Sequence, residues 1–245
     1  MLESFSGSTT LIEITSSTEL PSNREPLTLV TSDNLKLVAE LATPVQNKSK
    51  AVLLTLHPLP TGGGFMDSHI LRKAANRLPA LSDLAVLRFN TRGTTSPQGT
   101  SEGSFGEGID ERLDLEAALE FLKSRGLGPI WLVGWSFGTE LAIKYGFDKE
   151  IEGAILLSPP LRRAGEPDLV KWVGSGKKLV ALVPEHDEYL APAAAIERFA
   201  VVPEAEVIPV DGAKHLWVGE PATKRVLNEI VRAVNPGKYP LPDSF

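Results

Sequence analysis

The chain has 245 residues, 42% of them apolar and 23% charged, with a formal net charge of −6 and no cysteine. That length suits one sizeable core better than two ordinary domains. The acidic balance argues against nucleic acid as a partner, and the missing cysteines exclude disulfides, thiolate metal sites and a Cys nucleophile.

Residues 1–25 are rich in Ser, Thr and Glu and read as an N-terminal arm. Within it, the alternation of Leu11 to Thr15 offers a short edge strand, able to cap its own sheet or to pair across a two-fold axis in a homodimer. The first 26 residues show neither the basic nor the apolar region of a secretory signal. No stretch approaches the ~20 apolar residues of a membrane span, so the expectation is a cytoplasmic protein without a membrane partner.

From residue 26 to 245 the pattern is that of a single α/β domain. "LTLVTSDNLKLVAELATP" is two alternating runs joined at "SDN", an antiparallel hairpin. "AVLLTLHP" is a continuous apolar run, as in a strand covered on both faces. A helix follows over Asp67–Leu78, then a strand in "LAVLRFN" and a helix in "GIDERLDLEAALEFLKSRG". On that helix Asp110, Glu111 and Asp114 have the spacing of a solvated face. "IWLVGW" reads as a strand, "GTELAIKYGF" as a helix, and "IEGAILLSPP" as a strand stopped by two prolines. "KKLVALVPE" and "AEVIPVDG" are further strands, each followed by a helix, "PAAAIERFAVV" and "PATKRVLNEIVRAVN". Such alternation implies a mostly parallel sheet with helices on both faces and the hairpin at one edge. The basic pairs Arg162–Arg163 and Lys177–Lys178 read as solvated loop charges.

The chemistry gathers at Gly134-Trp135-Ser136-Phe137-Gly138, a G-x-S-x-G match lying between a strand and a helix. A sharp turn there exposes the serine oxygen, and side chains at 134 and 138 would collide with the neighbouring strand and helix. A serine hydroxyl attacks only when a base takes its proton and a carboxylate orients that base. This elbow uses the order Ser, acid, His, which directs attention downstream. Of the four histidines, His215 lies in a loop between the last strand and last helix. His186 abuts the candidate acid and ranks below it, and His57 precedes the elbow, where it serves to pin a loop. The acid is Asp187 at the end of a strand, with Glu185 next. Oxyanion donors are expected from the Phe137 amide and from Leu59, in the loop after the early strand. The glycines 62–64 let that loop fold back close to the substrate.

These motifs, with "HPLPTGGGFMDSH", "LLSPPLRR", "EHDEYLAP" and "DGAKHLW", resemble in order those of the α/β-hydrolase superfamily. The nearest resemblance is to small, cap-less bacterial serine esterases related to dienelactone hydrolase. It covers roughly residues 26–235 and implies carboxylic-ester hydrolysis through an acyl-enzyme, with no cofactor and no metal. It also carries Ser136, Asp187 and His215 over as the triad. Two departures stand out: Pro184-Glu185 where relatives usually have a glycine, and Lys214 where they commonly have aspartate, expected here to face solvent. Dienelactone hydrolases use a cysteine, so that activity is not expected. Between "AILLSPP" and "KKLVALV" only a short insertion remains, so the cap is minimal or missing. Leu161 and Trp172, with Leu169 and Val173, are candidates to wall an acyl pocket; the alternative is one short amphipathic helix on the core. A thioester or amide would need the same groups, and a fold that has lost catalysis and only binds is the rival of a different class.

Overall fold

The computed structural model describes residues 11–245, so the first ten residues of the expected arm lie outside it. The hairpin consists of β1 (Asn23–Val30) and β2 (Lys36–Thr43), followed by β3 (Ala51–Leu56), α1 (His69–Ser82) and β4 (Leu84–Phe89). A small separate ribbon, β5 (Thr95–Ser96) and β6 (Gly99–Thr100), precedes α2 (Glu111–Ser124) and β7 (Ile130–Trp135). Then come α3 (Phe137–Tyr145), β8 (Ile151–Leu157), a single turn α4 (Glu166–Leu169), β9 (Lys178–His186) and α5 (Pro192–Phe199). The chain closes with β10 (Glu206–Lys214) and α6 (Glu220–Val234).

Eight strands form one sheet in the order β1-β2-β4-β3-β7-β8-β9-β10. Only β2 runs against its neighbours; every other pairing from β4 to β10 is parallel. All six residues of β3, β4 and β7 are buried, the consequence of helices on both faces. Alternate residues serve opposite layers. Val52, Leu54 and Leu56 join Leu115, Leu119, Leu141 and Phe199 from α2, α3 and α5. Leu53 faces the other way, onto Ile70 and Leu78 of α1 and Val226 and Ile230 of α6. Each such leucine or isoleucine contributes about 1.5–3 kcal/mol on leaving water. Among the described residues, no helix is long and apolar enough to cross a membrane.

Three local expectations are corrected. The first helix does not stop before Pro79 but continues to Ser82. A proline has no N–H for the carbonyl four residues back, and here Arg24 Nη1 supplies the missing donor to Ala75 O at 2.9 Å. Leu11–Thr15 adds no strand to the main sheet. It pairs with the chain's own C-terminus, Ile12 N–H donating to Phe245 O and Ile14 N–H to Asp243 O.

The third correction concerns α2, where Glu111 and Asp114 are wholly buried rather than solvated. Glu111 accepts the Gly106 and Gly108 amides, and Asp114 accepts the Arg92 amide and guanidinium. Burial pushes the Asp114 carboxyl above its usual range even with Arg92 against it. These bonds tie the loop after β4 to the start of α2, beside the candidate site.

Candidate active site

Ser136, Leu59, Asp187 and His215 follow β7, β3, β9 and β10, so all four lie along the carboxyl edge of the parallel strands. Ser136 joins β7 to α3 with φ 51° and ψ −116°, a conformation costing a non-glycine residue about 1–3 kcal/mol. Its amide is fixed by Leu157 O at 2.8 Å. A Cβ on Gly134 would stand 2.6 Å from Gly138 O, and one on Gly138 would stand 2.1 Å from Leu56 O. Only bare backbone allows strand, turn and helix to approach so closely.

Three side chains converge on this turn. His215 Nε2 lies 2.9 Å from Ser136 Oγ, and His215 Nδ1 lies 2.9 Å from Asp187 Oδ2. Asp187 Oδ1 accepts the amides of Tyr189 and Leu190. Burial alone would raise the Asp187 carboxyl, but the bonds from His215 and these amides hold it below its usual range. It therefore stays ionised beside the ring, which sets Nδ1 as the protonated nitrogen and leaves Nε2 to accept from the serine. Glu185 is elsewhere: it is exposed and accepts the Gly212 amide at 2.7 Å. His186 is exposed, and Lys214 points to solvent.

The main chain of His215 is clamped as well, by residues that sequence reading passed over. His215 O accepts the Trp135 indole N–H at 3.2 Å and the Ser158 hydroxyl at 3.1 Å. Two residues on, Trp217 O accepts from His69 Nε2, whose ring meets Trp135 edge-on. Trp135 is the first variable letter of the elbow motif, a position that could have been suspected of facing the base loop. Tyr189 lies against the His215 ring with centroids 4.5 Å apart.

Leu59 and Phe137 both line the cleft around Ser136. Neither amide donates to another group among the described residues, which leaves both available to an oxyanion. Gly62 lines the same cleft, while Gly64 folds back so tightly that a Cβ would stand 2.2 Å from Pro58 O. His57 secures this loop from beneath: its Nδ1–H donates to Pro58 O at 2.7 Å, and Nε2 accepts the Thr91 amide at 3.1 Å.

Burial pushes His57 down to about 4, so it binds a proton less readily in the fold than in the unfolded chain. A group depressed in the fold contributes stability above its unfolded pKa and withdraws it as pH falls toward the folded value. Acidification from about pH 7 to about pH 5 should therefore cost about 2 kcal/mol through this residue. Urea melts of wild type and His57→Gln at the two pH values would read it as a difference in slope. Equal pH dependence in the two proteins would contradict it.

The cleft is also bounded by Pro58, Pro160, Glu140, Arg162, Arg163 and Leu216, enclosing about 660 Å³ with the space open to solvent. Leu161 and Trp172 do not wall it. Leu161 is buried in the core, and Trp172 donates its indole N–H to Ile143 O and packs against Phe147. The insertion between β8 and β9 is thus a short turn of helix on the core, with Leu169 buried beside Trp172. Among the described residues, no cap covers the site. Arg162 is exposed and Arg163 half-buried, in keeping with solvated charges, and both stand at its wall.

No family model matches the chain. Over 113 residues it is 32% identical to the uncharacterized protein RP471 of Rickettsia prowazekii, covering 45% of each. The chain thus spans less than half the length of that curated relative. Solved structures align far more fully. An alpha-beta serine hydrolase homologue from Coxiella burnetii superposes with a TM-score of 0.73 at 22% identity, covering 89% of this chain and 100% of that one. XC6422 from Xanthomonas campestris, described as an a/b serine hydrolase without lid, gives 0.68 at 25% identity, covering 92% and 99%. This is an α/β-hydrolase fold. The Pyrococcus furiosus esterase Pf2001 shares it, with a TM-score of 0.67 at 22% identity over 87% of this chain and 93% of that one. In this α/β-hydrolase frame, the lidless neighbour matches the short insertion after β8.

Proposed function

We propose that the protein is a serine hydrolase cleaving small or medium carboxylic esters through an acyl-enzyme, in the manner of cap-less esterases related to dienelactone hydrolase. The reading rests on one observation, the unbroken hydrogen-bond chain from Asp187 through His215 to Ser136. It is supported by neighbours of the same fold named as serine hydrolases and esterases.

In this mechanism Ser136 Oγ attacks the carbonyl carbon as its proton passes to His215 Nε2. The oxygen that gains charge accepts hydrogen bonds from the Leu59 and Phe137 amides. Asp187 faces the imidazolium, which returns its proton to the departing alkoxide. Water then attacks the acyl carbon as His215 takes its proton, and His215 passes that proton to Ser136 Oγ as the bond to the serine breaks and the acid leaves. The open cleft leaves room for the alcohol to depart and for water to follow. Thioesters and amides would engage the same groups, and kcat/KM measured side by side on the three bond types ranks them.

A fluorophosphonate probe should form one covalent adduct, located on Ser136 by peptide mass spectrometry. A protein that takes no label and turns over no short acyl ester would be a binding module rather than a hydrolase.

A further inference from the structure

Resting on that reading, we infer that the site selects substrates carrying an anionic group, carboxylate or phosphate, and that Arg162 receives it. The turn after β8 is built with some strain. Leu161 adopts φ 48°, and Glu140, itself 1% exposed, reaches up from α3 so that one carboxylate oxygen accepts both the Arg162 and Arg163 amides. A buried carboxylate spent on two consecutive amides fixes the direction in which the next side chains leave the turn.

The two arginines then differ in how their charge is used. Arg163 lies between Glu140 Oε2 at 3.7 Å and Glu107 Oε2 at 3.3 Å, over the Phe137 ring. Arg162 has no carboxylate within 4.0 Å and no guanidinium hydrogen bond among the described residues. Its guanidinium carbon lies 4.8 Å from the centroid of the Tyr189 ring. Tyr189 in turn lies against the His215 ring.

At the cleft wall the Glu140 carboxylate is thus approached by Arg163, while the exposed Arg162 guanidinium meets no carboxylate among the described residues. Stacking on Tyr189 leaves the N–H donors at the edge of that guanidinium free, and their planar fork matches the paired oxygens of a carboxylate or phosphate. Tyr189 thus touches both the His215 ring, tilted against it with centroids 4.5 Å apart, and the Arg162 guanidinium, so the fork stands one aromatic ring away from the imidazole that serves Ser136.

The test pairs p-nitrophenyl hemisuccinate with its neutral methyl-succinate counterpart. Wild type should favour the anionic ester, and Arg162→Ala should lower the anionic-to-neutral ratio of kcat/KM about tenfold. Lys214→Ala, which removes an exposed charge outside the cleft, should leave that ratio in place. Binding of succinate and of inorganic phosphate, followed by calorimetry, reads the same fork without turnover, and whichever ion Arg162→Ala weakens names the group. A wild type indifferent to the anion, with neither ion's binding weakened in Arg162→Ala, overturns the inference. So does an equal shift in both variants. Arg162-dependent ion binding in a protein that neither labels nor turns over esters would sink the hydrolase reading and leave the anion site standing.

Discussion

Replacing Ser136 with Ala is expected to lower kcat on a short acyl ester about 10⁵-fold or more, with KM little changed. The size follows from the proposed triad working as one unit. Without Oγ there is no acyl-enzyme, and His215 is left to activate water at a position shaped for a tethered oxygen. His215→Ala should cost a similar factor, and the double variant Ser136→Ala/His215→Ala no more than either alone, because each removal disables the same proton transfer. What remains is rate derived from the Leu59 and Phe137 amides and from holding the ester in the cleft. The melting temperature should stay within about 2 °C, since an alanine at position 136 fits the same φ of 51° with one atom fewer. Stopped-assay rates on a p-nitrophenyl ester would measure all three variants. More than about 1% of wild-type kcat in Ser136→Ala would rule out the serine as the attacking group.

Much of this arrangement is legible from the sequence because its causes are local. The strands at Ala51–Leu56, Leu84–Phe89 and Ile130–Trp135 announce themselves as short, predominantly apolar runs, as a sheet covered on both sides requires. Ser136 stands out because the glycines around it are imposed by contacts within the same strand-turn-helix and with the adjoining strand. His215 follows from chain order, since few histidines lie beyond the serine.

What escapes the sequence is decided by partners distant in the chain. Asp187 and Glu185 stand two residues apart at the same strand end, and only the placement of β10 and the loop after it gives one the imidazole and the other the Gly212 amide. Trp172 has the apolar character of a pocket wall, but the Ile143 carbonyl and the Phe147 ring draw it inward. Asp114 and Glu111 follow the spacing of a solvated face and are buried because Arg92 and two loop amides reach them, through a loop with no periodicity to read. Arg162 and Arg163 look alike on paper. Glu140, one helical turn beyond the serine, is what separates a neutralised charge from a free one.

Gly138→Ala is expected to destabilise the fold by about 4 kcal/mol or more and to lower the melting temperature by about 10 °C. The added methyl would stand 2.1 Å from Leu56 O, 2.5 Å from Leu56 C and 2.9 Å from Leu56 Cβ, and backbone atoms of a central strand cannot rotate aside as a side chain could. Relief has to come from moving the start of α3 away from β3. That motion separates the two segments whose amides, Phe137 on one and Leu59 on the other, are proposed to hold the oxyanion, so activity should fall in the surviving folded fraction as well. Gly237→Ala is the matching control, because nothing lies within 4 Å of its added carbon and its φ is not in the left-handed range. A thermal melt of the two variants separates a general cost of losing glycine from this particular collision. If Gly138→Ala melted within about 2 °C of wild type, helix and strand could not be as close as the elbow demands, and the geometry assigned to Ser136 would have to be redrawn.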